Sequence, residues 1–156
     1  MKPWHLKLKK SAARKSKRMA KRRLLGIKGS ISKTVVKKAL WDMVSLYVRL
    51  RDKALYGPMC RICGRRPIQC AYHLVPSNDG ADTRYDPANI VGACSSCNFA
   101  EYHHRYSFQF KHEKLFGLEL MDALREKSKA VVQYSRTDLL LLKAEFKRKI
   151  ENREWR

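Results

Sequence analysis

Apolar side chains recur at helical intervals in the stretch from Ile31 to Leu55, separated mainly by Lys, Arg, Asp and Ser. This pattern predicts an amphipathic helix over residues 31–55, with one apolar stripe packed against the rest of the fold. Gly57 and Pro58 follow directly and end the helix, because neither residue continues helical backbone well. The stripe consists of Val35, Val36, Leu40, Val44, Tyr47, Val48 and Leu50.

Between Ile68 and Val75 the pattern of side chains changes from a helical period to a period of two. Side chains that alternate between two faces predict a strand with Tyr72 on one face and His73 on the other, and Pro76 ends this strand. Residues 77–87 are rich in Ser, Asn, Asp, Gly and Pro, which predicts a surface loop. Residues 89–91 then predict a short return strand, so this part of the chain forms a β-hairpin with a long connection.

The C-terminal third returns to helical spacing. Apolar positions predict one helix up to Gly117 and a second, short helix after it. Ser135 and Asp138 have the spacing of a helix cap, which places the start of a last helix near Thr137 and its end near Glu154. The apolar stripe of that helix is Leu139, Leu142, Phe146 and Ile150.

Two Cys-x-x-Cys pairs flank the predicted hairpin and supply the strongest chemical signal. Cys60 and Cys63 form the first pair, and Cys94 and Cys97 form the second. Four thiolates in two such pairs suit tetrahedral Zn²⁺, because a gap of two residues lets both sulfurs of a pair reach one ion. Gly64 after the first pair fits the positive φ that such a turn tends to need. The alternative is a set of free core cysteines, which rarely have this spacing.

Charge points to a polyanionic partner. The chain has 156 residues with a formal net charge of +21, and residues 1–30 contain twelve Lys or Arg and no Asp or Glu. We interpret residues 1–30 as a basic arm that orders on a nucleic-acid backbone; a solubilising tail and a transit peptide are the alternatives. The candidate nucleic-acid contacts in the arm are Lys9, Lys10, Arg14, Lys17, Arg18, Arg22 and Arg23. Arg65 and Arg66, beside the first cysteine pair, are further candidates.

The number and spacing of the cysteines indicate the redox state of the protein's cellular compartment. Five cysteines, four of them in metal spacing, together with the lack of a signal-peptide pattern, predict a reducing, cytoplasmic and DNA-associated location rather than a disulfide scaffold. No apolar run approaches the twenty or so residues of a membrane span. The expected partner is therefore nucleic acid and not a membrane.

His73, Asn89 and Asn98 are the candidates for chemistry. A lone His on a strand is by default a packed side chain. Here a strand, a loop and a metal-anchored helix can bring His73 and Asn98 to one concave face, where a divalent metal could hold a phosphate. His73 would remove a proton from water, and Asn89 would orient its imidazole through a backbone or side-chain contact.

The same residues resemble a known family. Cys60-x-x-Cys63-Gly64, then Ala71-x-His73, then Asn89-Ile90 ahead of Cys94-x-x-Cys97-Asn98 is similar to the HNH (ββα-metal) endonucleases. The pattern is most similar to the phage lambda NinG/Rap recombination endonucleases, and the Asn after the last Cys also resembles the phage resolvase endonuclease VII. The resemblance covers about residues 45–156. It implies zinc on the four cysteines, His73 as general base, Asn89 as its orienting residue and Asn98 as ligand of a catalytic Mg²⁺ or Mn²⁺. The family's substrates are branched or flapped DNA intermediates of recombination, such as Holliday junctions.

Two positions depart from the family pattern. Tyr72 stands where HNH nucleases commonly have a metal-binding Asp or His, and Cys70 stands where NinG-like proteins have Asp. Cys70 is a soft ligand that suits Mg²⁺ poorly. We expect Glu101, three residues after Asn98 on the same helical face, to replace the missing ligand, with His104 as the alternative. His104 and Arg105 are equally well explained as phosphate contacts.

The sequence therefore predicts an α+β fold in which a small treble-clef or ββα-metal zinc module, residues 58–106, is embedded among α-helices. Residues 1–30 form the arm, and residues 31–156 form an HNH-like domain whose C-terminal helices span 107–156. The function expected is a metal-dependent, structure-selective DNA endonuclease. The alternative is a non-catalytic, zinc-stapled nucleic-acid-binding protein, such as a ribosome-associated or nucleoprotein-architectural component. A homodimer through the helix from Ile31 is an open possibility.

Overall fold

The computed structural model of the protein describes residues 32–77, 81–103 and 105–155, and the side chains of these residues apart from 101–108. The predicted first helix is confirmed as α1, Lys33–Tyr56. Its apolar stripe is buried at Val36, Leu40, Val44, Tyr47 and Val48, at the three- and four-residue spacing of one helix face. Gly57, with φ of +86°, ends the helix as predicted.

A two-stranded antiparallel sheet follows α1. β1 spans Cys70–His73 and β2 spans Ile90–Ala93, with Tyr72 opposite Val91 and His73 opposite Ile90. β1 is shorter than the predicted strand over Ile68–Val75, because backbone groups beyond its ends have other partners. Ile68 N donates to Pro58 O at 2.9 Å, and Val75 N donates to the side chain of Asn89 at 2.8 Å.

The connection between the strands differs from the surface loop that its composition predicts. It contains two short 3₁₀ helices, Asp82–Tyr85 and Pro87–Asn89, and both Thr83 and Tyr85 are buried. Asn89 ends the second 3₁₀ helix and does not begin the return strand. The physical reason is tertiary packing: the ring of Tyr85 meets that of Tyr134 edge-on with centroids 5.6 Å apart, which draws the connection inward.

Four helices complete the described fold. α2 spans Ser95–His103, α3 spans Arg105–Phe116, α4 spans Leu118–Lys129 and α5 spans Arg136–Glu151. The predicted cap of the last helix is confirmed, because Ser135 and Asp138 form a reciprocal capping box. The helix ends at Glu151 rather than near Glu154. No helix in the described part of the chain combines the length and apolar character that crossing a membrane requires.

Two apolar clusters hold these elements together. In the first, the α1 stripe packs on Leu139 and Phe146 of α5 and on Ala71 and Ile90 of the sheet. In the second, the cysteines pack with residues of both strands and with Met121 and Leu124 of α4. Full burial of a Val, Leu, Ile, Phe or Met side chain stabilises the folded state by about 1.5–3 kcal/mol. Both clusters therefore hold the sheet firmly in place. The fold is mixed α+β and mostly helical, with a two-stranded sheet at its centre.

A buried ion pair ties α1 to the sheet. Asp52 is fully buried, and its carboxylate accepts from Arg51 Nε at 2.7 Å and from Gly92 N at 2.6 Å. The guanidinium of Arg51 also donates to Pro87 O and Ile90 O, each at 2.8 Å. Every polar atom of the carboxylate thus has a partner, as a buried charge requires. This clamp holds the start of β2 against the end of α1.

Candidate functional site

The four cysteines of the two pairs converge on one point. The sulfurs of Cys60, Cys63, Cys94 and Cys97 all lie within 4.8 Å of one another, and Cys63 Sγ and Cys94 Sγ are 3.9 Å apart. A tetrahedral zinc ion with bonds of about 2.3 Å would separate its sulfur ligands by about 3.8 Å. The cluster could therefore hold a metal ion such as zinc. All five cysteines of the chain are free of disulfides, and Cys70 stands outside the cluster.

Backbone geometry around the first pair supports this arrangement. Ile62 N points at Cys60 Sγ at 3.4 Å, and Gly64 N donates to Cys60 O at 2.8 Å, which closes the turn. Gly64 has φ of +64°, as predicted from its position after the pair.

Gly92 in β2 is needed for a different reason, because a Cβ at this position would lie 2.9 Å from Ile68 Cδ1.

The cluster has the electrostatics of a cation site. Burial raises the pKa of Cys97, its hydrogen bonds with Cys94 and Cys63 favour the protonated thiol and raise that pKa further, and repulsion by the negative charges of Cys60 and Cys94 acts in the same direction. Burial also opposes ionisation of Cys63, but hydrogen bonds from the Arg65 backbone, Cys60, Cys97 and the Arg66 backbone lower the pKa of Cys63 to about 6. A dication between the sulfurs would remove the repulsion.

Beside the cluster lies an open cleft of about 750 Å³ that brings His73 and Asn98 together. β1 contributes His73 and Cys70, α1 contributes Trp41 and Ser45, and α2 contributes Asn98 from its first turn. The predicted convergence of the strand His and the helix Asn on one concave surface is therefore found. Polar and apolar side chains both line the cleft.

The imidazole of His73 is held in a single tautomer. Its Nε2 lies 3.0 Å from the carbonyl oxygen of Arg84, and a carbonyl can only accept, so Nε2 carries the proton. Nδ1 then has a lone pair, and no described residue donates to it. Burial lowers the pKa of His73, the Arg84 charge acts in the same direction, and the hydrogen bond to the Arg84 carbonyl opposes both. The ring is neutral at pH 7 and can accept a proton at Nδ1.

Asn89 does not hydrogen-bond to the imidazole in the described structure, so the expected direct contact is wrong. Its fully buried side chain accepts from Val75 N at 2.8 Å and donates to Val75 O, Ser77 Oγ and Thr83 O at 2.9–3.3 Å. These bonds fasten the connection immediately before Arg84. Asn89 thus positions the carbonyl that orients His73, one step removed from the ring.

Tyr72 and Cys70 offer no hard metal ligand to the cleft. Tyr72 is buried on the opposite face of the sheet from His73, with its hydroxyl 2.9 Å from His112 Nε2. Cys70 lines the cleft, but its Sγ lies 3.3 Å from Ala93 O. Burial raises the pKa of Cys70, and the neighbouring Cys94 and Cys60 raise it further, so its thiol stays protonated. Asn98 is the described residue that remains from the predicted metal ligands.

The remaining predicted contacts divide into two groups. Arg65 and Arg66 are exposed beside the cysteine cluster, and Arg66 contacts the hydroxyl of Ser96. The side chains of Glu101, His104 and Arg105 lie outside the described part of the structure. The arm residues also lie outside it: Lys9, Lys10, Arg14, Lys17, Arg18, Arg22 and Arg23.

Sequence reasoning missed two partners of His73. Trp41 stacks on the imidazole with ring centroids 4.8 Å apart, and the Arg84 carbonyl fixes its tautomer. Trp41 lies within the apolar helix pattern, where nothing distinguishes a ring that covers a histidine from one that fills the core. A backbone carbonyl leaves no sequence signal.

Comparison with known proteins adds no relative: no protein-family model, no curated protein and no solved structure matches the chain.

Proposed function

We propose that the chain is a metal-dependent nuclease that hydrolyses phosphodiesters of branched DNA in the His73 cleft. The observation that carries the proposal is the pairing of His73 Nε2 with the Arg84 carbonyl in a cleft shared with Asn98. This pairing leaves Nδ1 as the acceptor nitrogen of a ring that lines the cleft, into which a substrate phosphate and a water molecule would enter. A neutral imidazole with a lowered pKa suits the role of general base at pH 7.

In this proposal each residue has one task. His73 accepts a proton from the attacking water at Nδ1, and the Arg84 carbonyl holds the ring so that Nδ1 stays deprotonated. Asn98 and Glu101 would hold Mg²⁺ or Mn²⁺, which supplies positive charge to the phosphate oxygens when bound. Mg²⁺ retains several waters in proteins and binds through few side chains, so a small donor set fits it. The four cysteines would bind zinc, which would join the two cysteine pairs and hold the sheet against α2 in a ββα-metal arrangement.

The substrate class rests on charge. The net charge of +21 and the exposed Arg65 and Arg66 favour a polyanion, and long-range attraction of this size speeds association with nucleic acid. Branched recombination intermediates are the substrate that the motif resemblance implies.

A non-catalytic nucleic-acid-binding protein is the second candidate. It is favoured by the positions of Tyr72 and Cys70, because the first is buried against His112 and the second is a protonated thiol. Neither position supplies an oxygen ligand for Mg²⁺. The same charge and the same zinc-stabilised fold would then serve binding alone.

One experiment separates the two candidates. Zinc-loaded protein is incubated with supercoiled plasmid and with a branched oligonucleotide, with and without added Mg²⁺ or Mn²⁺, beside His73→Ala. We expect metal-dependent cleavage that His73→Ala slows by about 10²- to 10⁴-fold at unchanged zinc content and DNA affinity. Cleavage by His73→Ala at the wild-type rate would place the site elsewhere. Failure of the wild type to cut either DNA with either metal, while it still binds them, would reject the nuclease and support the binding protein.

A further inference from the structure

A second cleft, of about 640 Å³, opens on the other face of the sheet. Its floor includes Leu74 and Val91; Val91 lies opposite Tyr72 in the sheet and so shares the face that His73 does not. No described residue lines both this cleft and the His73 cleft. We call it the Arg61 cleft. Its volume is within the range of roughly 300–1,000 Å³ that ligand sites occupy.

Arg61 has an unusual environment in this cleft. Its guanidinium carbon lies 3.5 Å from the ring centroid of Tyr56, on which the group stacks, and 5.8 Å from that of Phe116, which is within cation–π range. Its Nε is buried without a hydrogen-bond partner, and among the described residues Arg61 forms no ion pair. In the described structure the guanidinium therefore has aromatic neighbours but no acceptor, so a ligand that enters the cleft can supply one.

The other charges around the cleft are compensated. Asp52 and Arg51 neutralise each other in the buried clamp, and Lys149 pairs with Glu145 at 2.8 Å. Arg61 therefore supplies an unpaired positive charge in the described cleft. The backbone holds it in place, because Arg61 N donates to Gly92 O at 3.0 Å and the residue lies between two cysteines of the metal cluster.

Aromatic surface surrounds this charge. Tyr56 is 56% exposed at the end of α1, and Trp155 and Phe116 line the same cleft. A planar cation that can donate to phosphate oxygens, next to an exposed aromatic ring, is the combination that binds single-stranded nucleic acid, because a base stacks on the ring and a phosphate pairs with the cation. A double helix keeps its bases stacked inside and cannot offer them to Tyr56.

We propose that the Arg61 cleft binds single-stranded nucleic acid, with a phosphate on Arg61 and a base on Tyr56. This site is separate from the His73 cleft, and binding there does not depend on cleavage. An unpaired strand leaving a duplex would be bound on one face of the sheet while the His73 cleft on the other face remains open.

The test measures binding of labelled oligothymidylate and of a matched duplex to the zinc-loaded full chain, at physiological salt without added Mg²⁺ or Mn²⁺. We expect Arg61→Gln to weaken single-strand binding about tenfold, since a hydrogen bond to a charged group is lost. Tyr56→Ala should weaken it about fivefold or more through lost stacking. Arg136→Gln, which removes an equal charge at an exposed site outside both clefts, should change it less than about twofold. His73→Ala should bind as the wild type does.

Three results would overturn the proposal. The first is an equal loss of affinity in Arg61→Gln and Arg136→Gln, which would mean that only overall charge matters. The second is a Tyr56→Ala variant that binds as the wild type does; because Tyr56 is exposed, this variant is informative even if Arg61→Gln loses its zinc. The third is photo-cross-linking of a 5-iodouracil oligonucleotide solely to residues outside the cleft, where we expect cross-links to Tyr56, Phe116 or Trp155.

Discussion

The imidazole of His73 lies almost flat on the indole of Trp41, with the ring planes 16° from parallel and the centroids 4.8 Å apart. Trp41 belongs to α1, whereas the Arg84 carbonyl that holds Nε2 belongs to the connection between the strands. Two elements far apart in sequence thus fix the face and the edge of one ring. Nδ1 is the ring nitrogen to which no described residue donates a hydrogen bond.

Removing the stacking contact between Trp41 and His73 should therefore impair the positioning of the imidazole. We expect Trp41→Leu to lower the rate constant of DNA cleavage by about 10- to 100-fold, because small misplacement of a reacting group has effects of this size. Trp41→Phe, which retains an aromatic face, should recover most of the rate. Single-turnover kinetics measure the effect, with zinc content and DNA affinity as controls. A Trp41→Leu variant that cleaves like the wild type would show that the stack only fills space.

The pH dependence of cleavage should report the pKa of His73. Because burial holds this pKa below its ordinary value of 6.5, the reactive neutral form persists to lower pH than in a free histidine. The rate should fall as the pH drops through the folded-state pKa, with a midpoint below 6.5. Arg84→Gln removes a charge that lowers this pKa, so its midpoint should move upward. A midpoint above 6.5 in the wild type would contradict the assignment of His73 as the general base. So would a His73→Ala variant whose cleavage rate falls at low pH in the same way as that of the wild type.

Loss of a cluster cysteine should unfold the central part of the chain. Structural zinc contributes on the order of 10 kcal/mol of apparent binding free energy in small domains, so Cys60→Ser and Cys97→Ser should lose zinc and cooperative thermal unfolding. Cys70→Ser is the matched control, because Cys70 stands outside the cluster and a Ser hydroxyl can also donate to Ala93 O. Zinc content by elemental analysis decides the outcome. Equal zinc in Cys97→Ser and Cys70→Ser would refute the metal site.

The Arg51–Asp52 clamp should contribute strongly to stability. Asp52→Ala leaves the partly buried Arg51 guanidinium and Gly92 N without this acceptor, and breaking a buried pair in this way costs about 3–5 kcal/mol. Asp42→Ala breaks the exposed pair between Lys38 and Asp42 in the same helix and should cost less than about 1 kcal/mol. Urea denaturation of both variants measures the free energy of unfolding. If both variants lost a similar amount of unfolding free energy, the buried Arg51–Asp52 pair would stabilise the fold no more than the exposed Lys38–Asp42 pair does.

The local features of this protein follow from local sequence. The helix from Lys33 to Tyr56, the break at Gly117 and the Ser135–Asp138 capping box are predicted because periodicity and capping involve residues within a few positions of one another. The four-cysteine cluster is predicted for a related reason, since each pair is a local turn and a shared metal ion would join the two pairs.

Features that depend on distant partners were decided by the tertiary structure. Composition places Thr83 and Tyr85 on the surface, but packing on Tyr134 buries the connection that carries them. The motif pairs Asn89 with His73, whereas the fold gives Asn89 to Val75 and Thr83 and gives His73 to the Arg84 carbonyl. Hydrogen bonds to backbone groups carry no residue identity that a sequence pattern could record.

The sequence by itself therefore determined the helices, the hairpin and the cysteine cluster, because periodicity, turn chemistry and ligand spacing act over short stretches of chain. Only the tertiary structure decided which charged and aromatic side chains serve the core and which face a cleft. Arg51 and Arg61 are the same residue type ten positions apart, but folding gives them different environments. The guanidinium of Arg51 pairs with Asp52 and donates to two carbonyls. The guanidinium of Arg61 stacks on Tyr56, and its buried Nε has no hydrogen-bond partner among the described residues. That difference arises from partners that folding brings together across the sheet, at separations that no local pattern can specify.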